Sequence, residues 1–212
     1  MTNFKQTLLT ITDYIKADIF PGASLALYDG QDWQEHYLGT QDGNNPEVPG
    51  LIYKLVPMND KMRKLSNVRK LWEGVLEVRE IRDVFTGREI VPKQYDVDHF
   101  IPWSFVMNDE LWNLMPMESS LNSSKSNRLP KWNPFFKDFA YNQYILYGMI
   151  HENANIHKRF EVCYGDNLHS IWAGQELYRK GNTEEEFYNI LEKNMLPEYE
   201  SARRQGYEIW EY

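Results

Sequence analysis

The chain has 212 residues, 42% of them hydrophobic and 15% aromatic, enough for one sizeable core or two small ones and too apolar for a disordered chain. Its lone cysteine, Cys163, excludes an intrachain disulfide framework and a four-cysteine zinc site, and fits a reducing, cytoplasmic setting. The formal net charge of −8 argues against nucleic acid only as a sum: residues 61–131 carry 12 Lys/Arg against 10 Asp/Glu, residues 1–60 carry 3 against 8, and residues 132–212 carry 8 against 13, so the middle segment is the one permissive for a phosphate backbone.

In chain order, the first twenty residues lack a basic stretch followed by an apolar run. They read as an amphipathic helix over residues 3–19, with Leu8, Ile11, Tyr14, Ile15 and Ile19 at helical spacing, and not as a signal peptide. No stretch is long and apolar enough to span a bilayer, so no membrane partner is expected. Ala23–Tyr28 and Trp33–Leu38 read as the strands of a hairpin with Asp29-Gly30 in its turn. The turn-rich run Gln41-Asp42-Gly43-Asn44-Asn45-Pro46 marks a boundary between a segment 1–45 and a domain 46–212.

A basic helix is expected over Asn67–Asp83, its apolar side made of Val68, Leu71, Trp72, Val75, Leu76 and Val78. A Thr86-Gly87 turn follows, then a strand over Tyr95–Ile101 stopped by Pro102, a second strand over Leu111–Met117, and a polar helix over Glu118–Asn127 ended by Pro130. Residues 133–212 read as helical throughout. Phe135, Phe136, Phe139, Tyr144, Leu146 and Met149 form a bulky set that reads as core rather than as a base-stacking platform, and Asn182-Thr183 cap a helix that opens on Glu184, Glu185 and Glu186. The fold class is therefore α+β: mainly helical, with a small strand–strand–helix core over 95–130 and a separate N-terminal helix plus β-hairpin.

The stretch that carries chemistry is YDVDHFIPWSFVMNDELWNLMPMESSLNSSKSNRLP, Tyr95 to Pro130. It holds Asp98-His99, then Asn113, then Asn122-Ser123-Ser124-Lys125. Hydrolysis of a phosphodiester needs an activated water, in-line approach and a cation for the leaving oxygen. A neutral imidazole suits the first task, and a carboxylate beside an amide oxygen suits a hard cation such as Mg²⁺, which keeps most of its waters. Neighbours on a strand point to opposite faces, so Asp98 and His99 need a bend or a second strand to act on one phosphate.

This stretch resembles the HNH, or ββα-metal, endonucleases, and most closely the zinc-free version in the HNH domain of RNA-guided CRISPR nucleases. The resemblance implies hydrolysis of DNA with one Mg²⁺ (or Mn²⁺). It gives His99 the role of general base and Asp98 and Asn122 those of metal ligands. Asn113 would steady the loop around the histidine, Lys125 would face the same phosphate as Asn122, and Asp96 would be an outer acid. Because the chain has no paired CxxC knuckles, no structural zinc is expected, and Trp103, Phe105, Trp112 and Leu114 must hold the site by packing. DNA is the expected partner, with a targeting protein or further subunit to offset the weak positive charge.

Two rival readings stand beside it. One is a nucleic-acid-binding module without cleavage, left by a gene fusion. The other rests on residues 4–43, which resemble the opening of a class C β-lactamase-like serine hydrolase; the S-x-x-K and Y-x-N motifs that such an enzyme needs occur nowhere in the chain. His151-Glu152 and His157 are six residues apart and do not converge on a helix, His36 and His169 are isolated, and Cys163 reads as a small packed residue.

Overall fold

In a computed structural model of the chain, residues 64–212 are described, together with the strand backbones of residues 24–28 and 33–37. The chain divides into two compact units, Met1–Asp60 and Lys61–Tyr212. In the first, β1 (Ser24–Tyr28) and β2 (Trp33–Tyr37) pair antiparallel with Tyr28 opposite Trp33, the hairpin expected from the sequence. The helix expected over 3–19, the Asp29-Gly30 turn and the boundary run at 41–46 lie outside the described residues.

The second unit opens on α1 (Ser66–Leu76). Val68, Leu71, Trp72 and Val75 recur every three or four residues and are all fully buried, which is the face that holds this helix. The sequence extends it to Asp83, but it stops at Leu76, and Val78 beyond its end is exposed. Asp83, buried, instead builds a turn: its Oδ1 accepts from the backbone N–H groups of Phe85 and Thr86 (both 3.0 Å), and Gly87 supplies the positive φ (69°) that closes it.

Next comes the hairpin of β3 (Asp96–His99) and β4 (Leu114–Met117), antiparallel with Asp98 opposite Met115 and His99 opposite Leu114. Between them lie a short helix α2 (Trp103–Val106) and a 3₁₀ turn over Leu111–Asn113, where the sequence suggests strand from 111 onward. Helix α3 (Ser119–Lys125) follows β4 and ends where Ser126 takes φ 50°, ahead of Pro130. Pro130 has another use. It sits in β5 (Leu129–Pro130), which pairs in parallel with β6 (Ile209–Trp210) near the C-terminus. The reading of 133–212 as helical throughout is corrected at that point: the chain after the last helix returns as a strand, because Leu129 N–H finds its acceptor on Glu208.

The helical layer consists of α4 (Trp132–Glu152), α5 (Ala154–Asn167), a π-turn over Ala173–Leu177 and α6 (Glu184–Arg204). The aromatic set on α4 is core, as expected: Phe136 and Phe139 are fully buried and Phe139 lies 4.7 Å (ring centroids) from Phe100, just past β3. Gln143 on α4, also fully buried, donates to Leu114 O (2.7 Å) and so fixes the start of β4. Cys163 is buried on α5, and burial pushes its thiol up to about 12, the state of a packed residue and not of a nucleophile. Among the described residues no helix is long and apolar enough to cross a membrane.

Thr183 caps α6 through a full capping box: its Oγ1 accepts from Glu186 N–H (3.2 Å) and Glu186 Oε2 accepts from Thr183 N–H (2.8 Å). Thr183→Ala removes the side-chain half of that exchange. It should lower the unfolding free energy by about 1 kcal/mol, read as a shift of the urea midpoint at constant m-value; an unchanged midpoint would show that the cap adds nothing here.

Candidate active site

Strand β3 alternates in burial. Val97 and His99 are buried, whereas Asp96 and Asp98 are only partly so. The partly exposed face meets α3 through two rungs. Asn122 Nδ2 donates to Asp96 Oδ2 (3.2 Å), and Lys125 Nζ donates to Asp98 Oδ2 (2.9 Å). Two residues of strand advance about 6.7 Å and three of helix about 4.5 Å, a gap that the long lysine side chain spans, so Asp96 pairs with Asn122 and Asp98 with Lys125. The sequence sets Asn122 and Lys125 on one face of the helix, and both do reach the same strand.

Lys125 reaches further than that. It is fully buried, and its ammonium also donates to His99 O at 2.7 Å. The expectation of a lysine facing a phosphate thus meets a side chain that ties the Asp98 carboxylate to the backbone of His99. The Asp98 side chain retains 15% exposure. Asp96 faces a second cation, with Arg69 Nη2 on α1 3.8 Å from its Oδ1, and Arg69 also donates to Tyr95 O.

The ring of His99 belongs to the other side of the strand. Its side chain is 1% exposed, and Nε2 lies 3.0 Å from Asn108 O and 3.2 Å from Asp109 Oδ1. A carbonyl oxygen only accepts, so Nε2 carries the proton and the lone pair of the neutral ring is on Nδ1. Asp109 is itself held: its Oδ2 accepts from Lys64 N–H at 2.7 Å, and its side chain is 7% exposed.

Asn113 is fully buried. From the 3₁₀ turn its Oδ1 accepts from Ile101 N–H (2.8 Å) and its Nδ2 donates to Ile101 O (2.9 Å), clamping the chain two residues past the histidine. Phe100 N–H donates to Asn113 O as well. The neighbouring Glu110 is buried, and its Oε1 accepts from the N–H groups of His169 and Ser170. Burial pushes the Glu110 carboxyl up, against the opposing pull of those two N–H donors. Of the residues assigned by packing, Trp112 and Leu114 are fully buried and Phe105 nearly so; Trp103 is partly exposed.

Sequence alone did not point to Asp109 or to Arg69. Asp109 sits in Asn108-Asp109-Glu110, a polar run that reads as an ordinary loop, and only the hairpin's closure brings it to the ring. Elsewhere in the second unit, His151 Nε2 lies against Tyr178 O and His157 against Ile150 O and Glu161.

Asp98 and Asn122 offer carboxylate and amide oxygens on one face of the hairpin and helix, a hard-oxygen pair that fits a cation keeping several waters. Among the described residues no three His, Cys, Asp or Glu side chains converge on a metal position. No curated protein and no solved structure matches the chain. A family model does match: residues 83–131, from the Asp83 turn to the residue after β5 and including every side chain of the two rungs as well as His99, Asp109 and Asn113, but not Arg69, are similar to the HNH endonuclease family.

Proposed function

We propose that the chain is a metal-dependent HNH endonuclease that hydrolyses phosphodiester bonds in DNA. The observation that carries this reading is the antiparallel β3–β4 pair with α3 laid along it, which sets Asp98 and Asn122 on one face within the segment similar to HNH endonucleases. His99 is the general base: Nδ1 takes a proton from water, and Nε2–H stays on Asn108 O and Asp109. Asp98 and Asn122 would hold Mg²⁺ or Mn²⁺, which when bound supplies electrophilic stabilisation of the phosphate and leaving oxygen. Lys125 holds the Asp98 carboxylate and the His99 backbone in register, and Asn113 fixes the chain beyond the histidine. The His99 ring is covered in this conformation, so the reading requires that substrate binding open Nδ1 to water.

The same burial favours one rival, a DNA-binding module without cleavage. Supercoiled plasmid incubated with Mg²⁺ or Mn²⁺, with and without EDTA, separates them. The endonuclease nicks plasmid with metal and not with EDTA; retardation on a gel without nicking at any metal concentration belongs to the binder. Asp98→Ala and Asn122→Ala should each raise the metal concentration needed for half-maximal nicking about 10-fold or more and lower the rate at saturation. Metal dependence unchanged in both variants would remove them as the metal pair.

A further inference from the structure

We propose that Asp109 is a positioning residue for His99, and that Asn167, far along the chain at the end of α5, braces it. The inference deepens the reading of His99 as the base and rests on it. Three observations meet here. Asp109 divides its carboxylate between two donors, Oδ1 on His99 Nε2 (3.2 Å) and Oδ2 on Lys64 N–H (2.7 Å). Asn167, fully buried, donates from one Nδ2 to Asp109 O (2.8 Å) and to Lys64 O (2.9 Å). Both of its partners are carbonyls, which fixes the amide's orientation. Glu110, the next residue, is tied to the N–H groups of His169 and Ser170, just beyond α5.

The loop that faces the imidazole is therefore held by the stretch 167–170, which lies beyond the segment similar to HNH endonucleases. A carboxylate on the protonated ring nitrogen does two things. It fixes the tautomer and the ring plane, so that the lone pair stays on Nδ1, and it stabilises the imidazolium that forms when Nδ1 takes a proton from water. No bond other than that O–H is broken by the histidine, and the proton taken resides on Nδ1. The C-terminal helical layer thereby becomes part of the machinery and not only a support for the core.

The test is a mutant cycle on plasmid nicking in the full chain. Asp109→Asn is nearly isosteric but offers one acceptor and one donor where two acceptors are used, so one N–H loses its partner and the charge is gone. It should lower kcat roughly 10- to 100-fold, with KM and gel retardation in EDTA changed less than about 2-fold. Asn167→Ala should lower kcat in the same way and by less. In a His99→Ala background, Asp109→Asn should lower the residual rate no further, because a residue acting through the ring has nothing left to act on. Unfolding midpoints show whether each variant is folded, and Asp109→Asn carries the test if Asn167→Ala is not.

If His99→Ala is inactive while Asp109→Asn keeps the wild-type kcat, or if the two losses multiply, the positioning role is overturned and His99 remains the base. Loss confined to KM or DNA retention overturns it as well. An active His99→Ala chain overturns both readings together.

Discussion

His99→Ala should lose plasmid nicking by about 10²- to 10⁴-fold at saturating Mg²⁺, the contribution of a positioned general base. His99→Gln should lose nearly as much, since an amide N–H can still donate to Asn108 O but no lone pair remains that takes a proton near neutrality. The pair separates chemistry from folding. Alanine empties a fully buried site and leaves the Asp109 carboxylate facing a void, whereas glutamine keeps a donor there and much of the volume. The expected pattern is thus two chains of similar inactivity and different stability, with His99→Gln unfolding at the higher denaturant concentration. DNA retention in EDTA should stay near wild type in both, because the ring is buried and is not part of a phosphate-facing surface. A His99→Gln chain that nicks within about tenfold of wild type would remove the imidazole from the mechanism.

How much of this was legible in the sequence depends on whether a residue's partner lies nearby in the chain. Val68, Leu71, Trp72 and Val75 declare a helix face because the burial period is written locally. Thr183 with Glu186 declares a helix start for the same reason, and β1–β2 follows from two short strands and a turn. The order Asp98-His99, Asn113, Asn122, Lys125 points to one chemistry, and the structure brings Asp98, the His99 backbone and Lys125 within hydrogen-bond distance. What sequence could not give is set by contacts between distant segments. The turn at Asp83, where the sequence suggests helix, is tied by Asp83 Oδ2, which accepts from Glu118 N–H across the unit, a partner 35 residues away. The strand at Ile209–Trp210 exists because Leu129 is there to pair with it. Asp109 is an unremarkable loop acid until Asn167, 58 residues on, takes hold of its carbonyl. The depth of Lys125 is not legible either: the helical spacing that places it beside Asn122 says nothing about whether its ammonium ends in water or under the hairpin.

That depth gives Lys125→Met a large expected effect on stability. Methionine matches the length and volume of the lysine stem, so packing changes little and the electrostatic part is isolated. What is lost is a buried ammonium that satisfies both Asp98 Oδ2 and His99 O. Removing one member of a buried ion pair leaves the other charge uncompensated, which typically costs 3–5 kcal/mol. Asp98 keeps 15% of its side-chain exposure and with it some hydration, so the low end applies, about 3 kcal/mol. For a unit of this size that is a fall in Tm of roughly 6–12 °C. The double variant Lys125→Met/Asp98→Asn decides the cause. It carries no stranded charge, so it should regain a good part of the loss in stability while nicking DNA more slowly and needing more metal than wild type, because the carboxylate proposed to hold the cation is gone. Should the single variant unfold within about 1 kcal/mol of wild type, or the double variant prove no more stable than the single, the ion pair is not what holds α3 to β3, and the clamp on the His99 backbone must be sought in Asn113 instead.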